Sequence, residues 1–113
     1  MTTVTVSVAH RDEVTRRALA AFAGEPQGVR ISFESVEALW KTLTPKRWDV
    51  LRAMTGQGPL SLREVARRVG RDVKTVHGDA HLLLDAGLLD RTDDGRLLFP
   101  YDAVHVDFTL KAA

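Results

Sequence analysis

The stretch GRDVKTVHGDAHLLLDAGLL, residues 70–89, indicates one helix with a defined start, end and apolar face. Asp72 is a residue type favoured at a helix N-cap, and Gly87 is the type that most often ends a helix. With about 100° of rotation per residue, five apolar positions fall on one side and are expected to face a core. They are Val73, Val76, Ala80, Leu83 and Leu84. The stretch therefore predicts an amphipathic helix over residues 73–86.

The opposite side of this helix, which we call the outward face, has an unusual composition. It carries Lys74, Gly78, His81 and Asp85 at its centre, flanked by Thr75 and His77. Lys74 taken alone is an ordinary solvated lysine. A glycine in a helix interior, however, costs about 1 kcal/mol relative to alanine. Gly78 is therefore either a substitution that the protein tolerates without a functional reason, or a residue that lets the backbone approach a phosphate or a base closely.

Two more helices precede this one at short intervals. A threonine–proline pair at Thr44 begins a predicted helix over 45–55, because proline is favoured at the first helical position. A capping box at Ser61 begins the next helix, over 62–69. After the third helix, an Asp-Gly turn between two short apolar segments predicts a hairpin over 88–99. Three helices and a hairpin in this order are typical of a winged helix-turn-helix, whose third helix lies in the major groove of DNA.

Strand and helix patterns also lie on both sides of this region. Alternating strands are predicted at 3–8, 29–33 and 104–110, and helices at 12–24 and 36–43. The apolar stripe of the second of these helices contains Val36, Leu39, Trp40 and Leu43. We therefore expect an α+β fold, a winged helix-turn-helix with an extra N-terminal strand–helix element and a C-terminal strand. Residues 1–34 form the N-terminal element, with dimerisation as its expected role, and residues 35–113 form the DNA-binding domain.

The formal net charge of +1 conceals an uneven distribution of charge. From Lys41 to Lys74 there are nine Lys and Arg residues against three acids. From Asp79 to Asp107 there are seven Asp residues against two arginines. Such asymmetry indicates a basic face on one part of the fold, and basic faces attract phosphate. Two ordinary solvated surfaces with chance clustering are the plain alternative.

The residues expected to bind DNA form two groups and one outlier. Base contacts are predicted from the outward face, through Lys74, Thr75, His77, Gly78 and His81. Contacts to backbone phosphates are predicted from Arg63, Arg67, Arg68 and Arg71. Each arginine alone is an ordinary surface charge, and only the group beside a recognition helix points to DNA. Arg96 follows the hairpin turn, and a weak contact is expected there because three nearby aspartates repel phosphate.

Three segments are specific enough to compare with a known family. They are LTPKRWDVLRA (43–53), SLREVARRVGRDVKTVH (61–77) and FPYDAVHVDFTL (99–110). With the residues around them, from Phe33 to Leu110, they resemble small prokaryotic winged-helix transcriptional regulators, relatives of the MarR-like regulators that include antitoxins of toxin–antitoxin pairs. The resemblance implies binding to double-stranded DNA, homodimerisation and, for an antitoxin, autoregulation with a toxin partner. It also implies an arginine where this chain has Gly78.

Metal binding and catalysis are alternative functions for the same residues. His77, His81 and Asp85 recur every four residues along one side of a helix and could ligate a metal ion, as in a metal-sensing regulator. A metalloprotease helix needs glutamate directly after the first histidine, and Gly78 stands there. The chain has no cysteine and no serine in a GxSxG turn, so neither an enzyme nor a cofactor is expected.

A protein-interaction module without specific DNA binding is a further alternative. The N-terminal and C-terminal strands are predicted to be edges with one apolar face, and unpaired edges invite partners. The same strands are the candidate interface of a homodimer, in which each of two recognition helices would bind one half-site of the DNA. Leu82, on the outward half of its helix, is expected to pack under the N-terminal segment or a second subunit.

Composition places the chain among ordinary globular proteins. Its 44% hydrophobic content suffices for a small core, and no segment approaches the ~18 uninterrupted apolar residues of a membrane span. The start, MTTVTVSVAHRDEV, lacks the basic and apolar regions of a signal peptide. We therefore expect a soluble, cytoplasmic protein that has no membrane partner.

Overall fold

The computed structural model describes residues 2–8 and 29–109, which form an α+β fold. The elements are β1 Thr3–Val8, β2 Val29–Phe33, α1 Val36–Thr42, α2 Pro45–Met54, α3 Leu62–Val69, α4 Val73–Asp85, β3 Asp90–Arg91, β4 Leu97–Leu98 and β5 Ala103–Asp107. The helix predicted at 12–24 lies outside the described residues. Within the described ranges, no helix is both long and apolar enough to cross a bilayer.

The larger sheet contains β1 in its centre, between β2 and β5, with both neighbours parallel to it. Val4 stands opposite Val29 on one side and Val104 on the other. The side chains of Val4 and Val6 are fully buried, as the alternating pattern predicts. Ser7, which the pattern places on the exposed face, is buried as well, and Val8 is only partly buried. The prediction that the N-terminal strand is an unpaired edge is wrong, because its ladder bonds are used on both sides. The sheet also joins strands from both predicted segments, 1–34 and 35–113.

Helices α2, α3 and α4 form the other half of the core and begin at the predicted caps. Ser61 Oγ accepts a hydrogen bond from Glu64 N at 3.1 Å, and Asp72 Oδ1 accepts one from Thr75 N at 2.9 Å. Buried side chains from all three helices meet in one cluster. They are Val50, Leu51, Met54, Val65, Ala66, Val76, Ala80 and Leu83. The apolar stripes therefore direct these helices onto one another, as their spacing predicts.

The predicted hairpin is present as the short strands β3 and β4. Its loop closes through a bond from Gly95 N to Thr92 O of 2.9 Å, with Gly95 in the left-handed region at φ 85°. Leu97 also pairs with Leu60, the residue before the N-cap of α3, through two backbone bonds of 2.8 Å. The hairpin is thereby attached to the segment that enters α3.

Two apolar residues are more exposed than their stripes predict. Trp40 in α1 is 50% exposed, whereas Leu39 and the C-cap residue Leu43 take the buried side. Its ring instead meets the edge of Phe108 at a centroid distance of 5.9 Å. Val73 is 37% exposed because it is the first residue of α4 and lies at the margin of the helix contacts. A stripe of helical spacing thus overestimates burial at its ends and in short helices.

Candidate nucleic-acid interface

A turn of three residues joins α3 to α4. Gly70 adopts the left-handed conformation at φ 70°, and its N–H bonds back to carbonyls of the last turn of α3. Arg71 N also donates to Ala66 O at 3.1 Å, which completes the C-terminal cap. Asp72 is then the N-cap of α4. Because every residue of the turn is held by a cap, the direction of α4 relative to α3 is fixed locally.

A cluster of ionic side chains locks α4 onto α2 and the turn. One carboxylate oxygen of Asp79 accepts from Arg47 Nε at 3.1 Å, and the other accepts from Arg71 Nη2 at 2.8 Å. The three side chains are only 14–17% exposed. Arg47 Nη1 also donates to the carbonyl oxygen of Lys41 at 2.8 Å. The cluster therefore connects the end of α1, the start of α2, the turn and the middle of α4.

This cluster changes the interpretation of Arg71, which the sequence places among the phosphate contacts. Its guanidinium is directed into the protein, and its Nη1 atom is buried with no hydrogen-bond partner among the described residues. Sequence reasoning missed Asp79 and Arg47 as a site. The available signal was helical spacing, because Asp79 lies three residues after Val76 and four before Leu83, at the margin of the predicted buried stripe.

The outward face of α4 presents the five predicted base-contact residues together. Lys74, Thr75, His77, Gly78 and His81 are all exposed. Leu82 beside them is 45% exposed, as expected on the outward half of the helix, and its packing under the N-terminal segment or a second subunit stays a prediction. The structure thus places a long, mostly polar helix surface opposite the buried side chains of Val76, Ala80 and Leu83.

Thr75 is partly engaged within the protein. Its hydroxyl donates to Asp72 Oδ2 at 2.7 Å, and its N–H donates to the same carboxylate. These two bonds hold the pKa of Asp72 below its usual value. The hydroxyl hydrogen is therefore used at the start of α4, and its oxygen lone pairs remain available to a donor.

The arginines of α3 differ in accessibility. The side chain of Arg67 is 71% exposed, whereas that of Arg68 is 31% exposed and lies between Glu64 and Gln57. Glu64 bonds to both guanidinium groups, and these bonds lower its pKa to about 2. Arg63 is exposed on the same helix. Arg63 and Arg67 are consequently the most accessible cations of α3.

The hairpin tip is largely neutralised by its own residues. Arg96 Nε bonds to Asp94 Oδ2 at 2.8 Å, and both side chains are about half exposed. The hydroxyl of Thr92 bonds to the same aspartate. A weak contact from Arg96 to DNA stays a prediction. The ion pair between Arg96 and Asp94 must open before the guanidinium can bind a phosphate.

Comparison with known proteins places the chain in a family. A family model named HVO_A0114 matches residues 42–106, more than half of the chain, and the protein belongs to that family. The matched region runs from the end of α1 through β5 and contains the turn, the ionic cluster and the outward face of α4. No curated protein matches the chain.

Gly78 supplies a first testable prediction. Apart from the two chain neighbours of Gly78 and the backbone of its own helix, no heavy atom lies within 4 Å of the position that a Cβ would take there, and the backbone is helical. Gly78→Ala is expected to raise the free energy of unfolding by up to about 1 kcal/mol, measured by urea denaturation. The matched control is Gly70→Ala, which is expected to destabilise because φ at Gly70 is 70°. A loss of stability in Gly78→Ala would contradict the open environment around this position.

Proposed function

We propose that the protein is a sequence-specific DNA-binding transcriptional regulator with a winged helix-turn-helix. The observation that carries the proposal is the order of α3, a three-residue turn and α4, with the inner face of α4 buried and its outward face exposed. A turn of this length, often containing glycine, is characteristic of helix-turn-helix motifs. The β3–β4 hairpin, anchored at Leu60, takes the place of the wing.

The roles of the charged residues follow from their accessibility. In the proposed complex, Lys74, His77 and His81 meet base edges or adjoining phosphates in the major groove. Arg63 and Arg67 neutralise phosphates beside the groove, Arg67 after its bonds to Glu64 open. Arg68 does so less effectively, because it is less exposed and Gln57 holds it in addition to Glu64. Arg71 has a different role from the one its position in the sequence suggests. It holds α4 in place through Asp79.

A homodimer belongs to the proposal, because one recognition helix reads only a half-site. With β1 paired on both sides, β5 is the remaining strand of the predicted interface, and within the described residues it pairs on one side only. Trp40 and Phe108 place exposed aromatic surface close to its end. Regulation of its own gene together with a toxin partner is the extension that the family resemblance implies.

Binding of labelled duplex, measured by fluorescence anisotropy, tests the proposal. The duplexes are the DNA upstream of the protein's own gene and a scrambled duplex of equal composition. Specific binding to the first is expected to exceed binding to the second by about 10³-fold or more. Equal binding to both would reduce the protein to a non-specific binder. Absence of binding to either at low salt would favour the protein-interaction module.

Two alanine variants should separate phosphate contacts from base contacts. Arg67→Ala is expected to weaken binding to both duplexes alike and to lower the salt slope by about one unit. His81→Ala is expected to cost about 1–3 kcal/mol on the correct duplex and little on the scrambled one. Arg30→Ala removes the same charge from β2 in the larger sheet and serves as the control. If Arg67→Ala and Arg30→Ala behave alike, α3 does not contact phosphate.

A further inference from the structure

Two histidines on the outward face of α4 lie side by side. His77 and His81 are four residues apart, and both are exposed. Their Nε2 atoms are 3.1 Å from each other, and their ring centroids are 4.4 Å apart. The two side chains therefore bring two imidazole nitrogens together at the protein surface, without any contact with the core that would require it.

That separation suits one shared metal ion. Imidazole nitrogens bind Zn²⁺ at about 2.0–2.1 Å, so two of them 3.1 Å apart subtend about 100° at a common ion. This angle lies between the octahedral and the tetrahedral values. A hydrogen bond between two neutral rings produces the same separation, but its proton lies near the line between the nitrogens, whereas the ion would lie about 1.3 Å off that line. Metal binding would thus keep the distance between the two nitrogens and turn each ring toward the ion.

The surroundings leave room for the rest of a coordination sphere. Gly78 has no side chain, and apart from its two chain neighbours and the backbone of its own helix no heavy atom lies within 4 Å of where its Cβ would be. Within the described residues there is no group of three His, Cys, Asp or Glu side chains that could hold a metal. Asp85, one turn beyond His81, is therefore outside the set of direct ligands. The pair supplies two ligands, and the remaining positions are open to water or to an external ligand.

We propose that His77 and His81 form a two-ligand site for a divalent transition metal ion that prefers imidazole, such as Cu²⁺, Ni²⁺ or Zn²⁺. The site goes beyond the proposed function, and its existence does not depend on DNA binding. If DNA binding is also correct, a bound ion adds positive charge to the outward face and fixes both rings. The site would then couple metal availability to recognition of the operator.

Calorimetric titration of the untagged protein with Cu²⁺, Ni²⁺ and Zn²⁺ tests the site, with Mg²⁺ as the control ion. One ion per chain is expected to bind, most tightly for Cu²⁺, and Mg²⁺ is expected to give no binding. The double variant His10→Ala, His105→Ala retains only this pair and is expected to bind like the native chain. Removal of a residue that merely supports a metal ligand costs about 10–100-fold, so His77→Ala and His81→Ala should each lose at least tenfold in affinity.

Three results would overturn the proposal. They are no binding by the native chain, undiminished binding by either single variant, and loss of binding in the double variant. A thermal measurement adds an independent readout, because a ligand that binds only the folded state raises the melting temperature. The rise should appear in the native chain and the double variant and be absent from His77→Ala. A histidine pair that only shares a proton would show no such rise, and this outcome leaves the DNA-binding proposal unaffected.

Discussion

Asp79→Ala is expected to lower the free energy of unfolding by about 3 kcal/mol, a larger effect than that of substitutions on the outward face of α4. The carboxylate of Asp79 neutralises Arg47 and Arg71, and all three side chains are mostly buried. Its removal leaves two guanidinium groups facing each other without a counter-ion, and breaking a buried ion pair typically costs about 3–5 kcal/mol. The lower end applies because 14–17% of each side chain still reaches water. Urea denaturation measures the change.

Variants of neighbouring residues make this prediction specific. Asp85→Ala removes an exposed aspartate from the same helix and is expected to change stability by less than about 0.5 kcal/mol. Arg71→Ala should cost less than Asp79→Ala, because Asp79 retains Arg47 as a partner. A double-mutant cycle between Asp79 and Arg71 should give a coupling energy of at least about 1 kcal/mol. Equal stability of Asp79→Ala and Asp85→Ala would show that the cluster is not a stabilising lock.

The helices of the central region could be predicted because their signals are local. The caps at Thr44, Ser61 and Asp72 and the left-handed glycine at Gly70 act within one turn of the chain. Such signals do not depend on which segment packs against which. The predicted bounds of α2, α3 and α4 consequently agree with the structure to within a residue or so at each end.

The order of the larger sheet could not be predicted in the same way. An alternating strand pattern shows which face is buried, but it does not show which strands are neighbours. Pairing of β1 with β5 joins residues about a hundred positions apart, such as Thr3 and Ala103. Without that information we expect the N-terminal strand at an edge, whereas the structure has it in the centre.

The candidate site shows the same division between local and tertiary information. The outward face follows from helical rotation alone, so Lys74, Gly78 and His81 could be grouped from the sequence. The lock around Asp79 could not, because it needs the start of α2 and the turn before α4 to approach the same side chain. For that reason the sequence predicts that Arg71 faces phosphate, although the structure directs it inward.

Gly78→Arg and Gly78→Glu are expected to change DNA affinity in opposite directions, about a hundredfold apart. A new phosphate contact is worth about tenfold in affinity near 0.1 M salt, since each one contributes about 0.9 to the slope of log K against log salt. An acidic group at the same point costs a comparable factor. The position is suited to this test because a Cβ there meets no heavy atom within 4 Å beyond its chain neighbours and the backbone of its own helix. Arginine is also the residue that the family resemblance implies at this place.

The pair is informative because the two variants differ in charge and hardly in fold. Arginine and glutamate have similar helix propensities, so both variants should share the gain in stability expected of Gly78→Ala. Gly78→Ala itself, tested for binding, gives the effect of the added side chain without charge. An arginine that contacts only phosphate should tighten binding to the operator and the scrambled duplex equally, whereas one that reaches a base should change the preferred sequence. Equal affinities for Gly78→Arg and Gly78→Glu would place the DNA surface elsewhere. The two variants differ by two units of charge, and such a difference at the centre of a helix face bound in the groove must change the affinity for DNA.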